Sequence, residues 1–323
     1  MLTTNLCRTL GIQHPIIQAG MAGEAGPELA AAVSNAGALG SIGSIGVPPH
    51  ELKARIQRLR DLTDRPWAVN VVTFDSAPFS AESLDVAIAE RVPVITLSFG
   101  TPVPALQRCK AAGIPAIVQV QDWPTAEDVL REGATAIIAQ GNESGGHTGR
   151  RSTLNFGAQV LDAAGGTPVV LAGGIGNGRG LAAALAMGAQ AVVMGTRFKA
   201  SDEFAGSAEA KSAIVASDGG NTAAAAVFDA PYPISWPSNV VGRAMQSRFS
   251  AQWAGKEDEL RAKAASMPPF ALVMELAKDP ATAINWAGES SGLVHEVLPA
   301  AEVVRRTVAE AEALLDRVTA ALR

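Results

Sequence analysis

The amino-acid sequence predicts a parallel (β/α)8 TIM barrel with a helical insertion over its mouth, and three observations carry the prediction. Eight short apolar runs recur roughly every 20–33 residues over the first two hundred positions, the interval of one strand, one helix and two short loops. Ala/Leu-rich amphipathic stretches separate them. The rhythm stops after Lys199 and gives way to a different pattern.

The runs are PIIQA (15–19), ALGSI (38–42), WAVNVV (67–72), PVITLSF (93–99), PAIVQV (115–120), TAIIAQ (135–140), PVVLAG (168–173) and AVVMG (191–195). They are continuously apolar rather than alternating, so they read as strands buried on both faces. The stretches 27–37 and 178–188 read as helices, and both end in Gly, the usual left-handed helix stop. Eight β/α units favour a closed barrel, with an open doubly wound sheet as the alternative. Residues 206–295 show helical stretches and no series of strand-like runs. Within them, DAPYPISWPSN (229–239) carries three prolines and two aromatics and reads as an ordered loop. Residues 298–322 are amphipathic again. The expected division is a barrel over 1–205, a helical lid carrying part of the substrate pocket over 206–295, and a C-terminal helix over 296–323 that returns to the barrel.

A chain of 323 residues suits one barrel of roughly 200–250 residues plus an extra piece. With 48% hydrophobic and 18% charged residues it can fill a large core. A net charge of −5 without a long basic run argues against nucleic acid or anionic membranes as partners. No apolar run approaches the ~20 residues of a membrane span, and residues 1–10 lack the signature of a signal peptide. Cys7 and Cys109 fit neither a disulfide framework nor a zinc site, so a cytoplasmic protein without a metal is expected.

In a barrel, chemistry sits where the strands end. The seventh run is followed by LAGGIGNGRGLAAAL (171–185) and the eighth by MGTRF (194–198). Glycine lets the backbone approach a ligand closely, and N–H groups at a following helix start face a phosphate. Gly173, Gly174, Gly195 and Thr196 are the phosphate candidates; tight turns alone would explain either loop, but less well both. The pattern is not a Rossmann fingerprint, because Arg179 takes the third glycine position. The sixth run leads into AQGNESGGHTG (139–149), which places His147 among glycines at a strand end, where imidazole can take or give a proton. Glu143 can either orient His147 or cap a helix. His14, His50 and His295 read as structural or solvent-facing. No serine lies in a nucleophile elbow and neither cysteine lies at a strand end, so the chemistry is assigned to a cofactor. Asn70, Gln119 and Gln140 bring amides to the mouth, where they can bond a flat heterocycle, although each alone can be a satisfied core amide. Together with a phosphate site they describe a mononucleotide with a polar ring, such as FMN.

The segments PIIQAGMAG (15–23), QGNESGGHTG (140–149), AGGIGNGRGLAAALAMGA (172–189), MGTRF (194–198) and FDAPYPISWPSNVVGRAMQSRF (228–249) resemble the nitronate monooxygenase family, also called 2-nitropropane dioxygenases. The resemblance covers most of the chain. It implies an FMN-containing barrel with a helical second domain, His147 acting at the substrate, and phosphate contacts from Gly173, Gly174, Gly195 and Thr196. It sets Ala19, Gly20 and Met21 against the flavin ring, and Gly145, Ala172 and Met194 complete the candidate cofactor set. Ala19 replaces a frequent glycine, and Gln119 and Gln140 stand where relatives can have Lys and Asp.

The leading expectation is therefore FMN-dependent oxidation of alkyl nitronates by O2 to a carbonyl compound and nitrite. The competing enzyme reading is NAD(P)H-driven reduction of quinones or enoyl thioesters, as in flavin-dependent enoyl-acyl-carrier-protein reductases, which share a similar scaffold. An FMN-binding regulatory or storage protein and a flavin-free phosphate-binding barrel are the remaining alternatives. Residues 206–295 contain no glycine-rich dinucleotide loop and no dense Arg/Lys cluster, which favours a small substrate. A homodimer is compatible with the sequence.

Overall fold

The apolar runs become strands because both of their faces are covered. In the computed structural model, which describes residues 2–322, they form β1 (Ile16–Gln18), β2 (Gly40–Gly43), β3 (Trp67–Val72), β4 (Val94–Ser98), β5 (Ala116–Val120) and β6 (Ala136–Gln140). After a short strand β7 (Gly146–Thr148), β8 (Val169–Ala172) and β9 (Ala191–Met194) complete the set. The sheet runs β1-β9-β8-β6-β5-β4-β3-β2, and each neighbouring pair in that order is parallel. A parallel bridge between Ile17 and Leu39 closes it, with Gln18 N–H donating to the Leu39 carbonyl at 2.9 Å and Leu39 N–H to that of Ile16 at 2.9 Å. This is a closed (β/α)8 barrel.

Alternate residues divide between two cores, because Cβ direction alternates along a strand. Ile17, Leu39, Ala68, Val94, Ile117, Ile138 and Val170 fill the interior, and Leu6, Cys7 and Leu10 of the helix Asn5–Leu10 join them as a plug. The opposite faces, with Ile16, Val69, Ile95, Val118 and Met194, pack under the helices. Cys7 and Cys109 are buried free thiols, and burial pushes the Cys109 thiol up to about 11, so it stays protonated and serves as packing. The helix Ala300–Ala321 packs against the helices Gly178–Ala186 and Pro27–Asn35, which follow β8 and β1. It thereby supplies the long helix that the short turn Thr196–Lys199 after β9 does not.

Residues 206–295 carry short strands beside the expected helical stretches. Helices Ala208–Val215, Arg248–Trp253, Glu257–Ala265 and Ala271–Leu276 are present. So are two strands, β10 (Thr222–Ala224) and β11 (Val241–Met245), which join β7 in an antiparallel sheet of order β10-β11-β7. Strands of three and five residues are too short to show a period of two in the sequence. A separate core of Val227, Phe228, Ala244, Phe249, Leu260 and Leu272 holds this layer together. Among the described residues no helix is long and apolar enough to cross a membrane.

Helix-to-sheet packing is tightest at β2. A Cβ on Gly40 would land on the backbone carbonyl of Ala30, in the helix Pro27–Asn35. Backbone cannot rotate away as a side chain can, so Gly40→Ala is expected to cost about 3 kcal/mol, the upper end of ordinary overpacking. Chemical denaturation measures this, and an unchanged midpoint would show that the helix slides freely on the sheet.

Candidate active site

A cavity of about 410 Å³ opens at the C-terminal ends of the barrel strands. Three groups of residues make it. The floor carries polar side chains: Ser41 on β2, Asn70 on β3, Thr96 on β4, Gln119 on β5 and Gln140 on β6. The walls are the loops after β1, β8 and β9, contributing Ala19, Gly20 and Met21, then Ala172, Gly173 and Gly174, then Gly195 and Thr196. Gly145 and His147 border it from the loop after β6 and from β7, and the roof is apolar and aromatic, with Tyr232, Ile234, Trp236, Phe270 and Trp286.

Met194 is the exception among the sequence candidates. Its side chain packs in the helix-facing core and does not line the cavity. It follows inward-facing Val193 on β9, so alternation turns it outward. Only its carbonyl reaches the mouth, accepting from the Ala19 N–H at 3.0 Å.

The floor amides are largely tied to one another. Asn70 donates to Ser98 Oγ at 2.7 Å and to the Thr96 carbonyl at 3.3 Å. Gln140 Oε1 accepts from Gln119 at 3.2 Å and from Gln121 at 2.9 Å, while its Nε2 donates to the His147 carbonyl at 3.1 Å. Gln140 thus anchors the backbone of β7 as well as facing the cavity. Gly20 lies so close to Asn70 that a Cβ would come within 2.5 Å of the Asn70 Cβ. The next residues, Met21 and Ala22, hold left-handed backbone at φ 45° and 52°, a costly conformation for side-chain-bearing residues that clusters at ligand sites.

Glu143 does not meet the histidine. Its carboxylate accepts from the Thr153 N–H at 3.0 and 3.1 Å and from Thr153 Oγ1 at 2.7 Å, so it caps the helix Thr153–Ala163. The partner of His147 is Asp229, with Nε2 and Oδ1 2.6 Å apart. The imidazole stacks on the Trp236 indole, centroids 3.3 Å apart and planes 14° from parallel; Trp286 lies 5.1 Å away and Phe99 edge-on at 6.3 Å. His14, His50 and His295 lie outside the lining.

Charge in the cavity is paired. Lys199, 6% exposed in its side chain, meets Glu24 at 3.2 Å. Burial pushes the Tyr232 phenol up to about 12, so it remains a neutral hydroxyl at working pH. No arginine is among the lining residues described.

Asp229, Trp236, Trp286, Lys199 and Glu24 were not singled out from sequence as site residues. For Asp229 and Trp236 the available signal was their place in the Pro/aromatic segment 229–239; the others carried none beyond residue type.

A family model described as nitronate monooxygenase matches residues 3–310. The chain belongs to the nitronate monooxygenase family. It is 33% identical to the nitronate monooxygenase of Pseudomonas aeruginosa, over 96% of this chain and 99% of that one. Over 202 residues it is 42% identical to the (3aS,4S,5R,7aS)-5-hydroxy-7a-methyl-1-oxo-octahydro-1H-indene-4-carboxyl-CoA dehydrogenase of Rhodococcus jostii. That alignment covers 62% of this chain and spans 56% of the relative's length. Among solved structures, FabK from Thermotoga maritima superposes with a TM-score of 0.89 at 33% identity, covering 99% of both chains.

Proposed function

We propose that this member of the family binds FMN and oxidises alkyl nitronates with O2, releasing a carbonyl compound and nitrite. The observation that carries the reading is one imidazole held at the wall of a cavity whose other charges are already paired.

The residues present fit the cofactor. The open face of Gly195 meets only the Ala19 Cβ at 3.4 Å and the Met21 sulfur at 4.0 Å, and that of Gly174 only Glu143 methylenes at 3.4 Å and beyond. These two faces form a cradle that side chains would fill, at the loops where barrels commonly hold phosphate. On the floor, Ser41 Oγ and Thr96 Oγ1 are buried without a hydrogen-bond partner, which a polar ring edge would supply. Gly174, Gly195 and Thr196 would hold the phosphate, with Gly173 shaping the turn; Asn70 and Gln119 would meet the ring, and Ala19 to Met21 would lie against it. FMN would supply the redox chemistry, as acceptor of substrate electrons that O2 then takes.

His147 would hold the nitronate oxygens and manage the proton at the α-carbon. A nitronate spreads one negative charge over two oxygens, a load that one imidazole and nearby N–H groups can carry. The roof of Tyr232, Ile234 and Trp236 would exclude water from the bound substrate. A multiply charged tail would find no free cation in the lining described.

A second reading rests on the 42% identity to a CoA dehydrogenase and the likeness to FabK: a thioester or quinone substrate with a nicotinamide donor. Steady-state assay in air separates the two. Propionate 3-nitronate or ethylnitronate should give nitrite in step with O2 uptake; turnover only with NADH or NADPH plus an acceptor would replace the proposal by the second reading.

A further inference from the structure

We infer that Asp229 is the positioning residue of His147: it fixes the imidazole proton on Nε2 and leaves Nδ1 as the ring nitrogen that meets the substrate. The inference rests on the reading of His147 as the residue at the reacting molecule. Its structural half, the tautomer, stands apart from any substrate.

A carboxylate only accepts hydrogen bonds, so the nitrogen facing it must carry the proton. Asp229 Oδ1 lies 2.6 Å from Nε2. Nδ1 makes no hydrogen bond among the described residues, and His147 lines the cavity. With Nε2 protonated, Nδ1 of a neutral ring offers a lone pair that takes the proton from the α-carbon, and the imidazolium so formed donates from Nδ1 to the nitronate oxygens.

The carboxylate is itself held. Its other oxygen, Oδ2, accepts from the Gly242 N–H at 3.2 Å. Gly242 is the residue of β11 paired in register with His147 on β7. One carboxylate thus bridges the main chain of one strand and the side chain of the residue opposite. The position requires glycine for space: a Cβ on Gly242 would lie 3.0 Å from Asp229 Oδ1 and 2.7 Å from the Trp286 ring. Asp229 closes the short helical turn Ala226–Phe228, and its own N–H donates to the Ala226 carbonyl at 3.1 Å. The Trp236 stack then fixes the plane of the imidazole. Ring tilt, ring rotation and tautomer are each set by a different contact.

This geometry predicts what a near-isosteric change does. In Asp229→Asn the Gly242 N–H still demands an acceptor, so the amide oxygen takes the Oδ2 place. The amide NH2 then faces Nε2, which must present its lone pair, and the proton moves to Nδ1. The variant keeps volume and both hydrogen bonds but presents an N–H at Nδ1 where the wild type presents a lone pair.

The test is 15N NMR of the purified protein labelled at histidine, which has only four such residues, with His147→Gln as the assignment control. The wild type should show His147 protonated at Nε2, and Asp229→Asn should show it protonated at Nδ1. Bound flavin should be unchanged, and kcat on the productive substrate should fall about 10²–10⁴-fold with KM nearly constant, the scale of losing a positioned acid–base group. An Nδ1-protonated wild type overturns the inference whatever the substrate proves to be. So does an Asp229→Asn variant that keeps wild-type kcat while His147→Ala has lost it. Absence of nitronate turnover in the wild type, with the expected tautomers, would instead count against the substrate reading, and the kcat comparison would then run on the acceptor that is reduced.

Discussion

Gly195→Asp is expected to give a folded protein that holds no flavin. Gly195 has φ −112°, a backbone any residue adopts, and the space in front of it is open but for Ala19 and Met21. The side chain therefore enters the cavity, not the core, and the barrel should form. There it brings bulk and a negative charge to the proposed phosphate position. Two like charges ~4 Å apart repel by about 4 kcal/mol at the effective dielectric of a protein surface, about three decades in affinity. Gly174→Asp should also lose flavin, but Gly174 has φ +70°, so strain accompanies the charge and Gly195 is the cleaner position. The measurement is FMN titration of the deflavinated protein, with mass spectrometry of the cofactor released by heating the wild type, which should be FMN and not FAD. Flavin retained by folded Gly195→Asp would place the phosphate elsewhere.

His147→Ala should separate chemistry from cofactor binding. The ring lies on β7 and the Gly174 and Gly195 cradle on the loops after β8 and β9, so its removal should leave the flavin spectrum in place. The loss in kcat/KM should be about 10²–10⁴-fold. His147→Asn, which keeps one donor and one acceptor, should lose less. The truncation also takes a stacking partner from Trp236 and a hydrogen bond from Asp229, so a thermal melt belongs beside the kinetics. Unchanged kcat/KM in both variants would remove His147 from the reaction.

How much of this the sequence showed depends on distance along the chain. All eight barrel strands were readable, because burial on both faces writes a continuous apolar run. Most of the lining was readable too, because a barrel puts its site at strand ends, and the glycines after β6, β8 and β9 mark them. Met194 shows the limit of that rule: it stands at a strand end beside Gly195, and strand alternation turns its side chain away. Strands β10 and β11 left no trace because so few residues hold no period. The choice between Glu143 and Asp229 as partner of His147 was beyond spacing. Glu143 is the near residue and caps a helix, whereas Asp229 arrives from 82 residues away through the pairing of β7 with β11. Trp286 comes from the same folding-over and was equally unreadable, whereas Trp236 lies in the Pro/aromatic segment that the sequence marks.

A nitronate is the proposed electron donor in this cavity. That role is tested most directly by mixing the purified, flavin-loaded protein with ethylnitronate or propionate 3-nitronate without oxygen, and separately with NADH and NADPH, while following the flavin absorbance. Nitronate should bleach the flavin fast, and either nicotinamide slowly or not at all; fast bleaching with a nicotinamide and none with either nitronate would rule out nitronate as the donor.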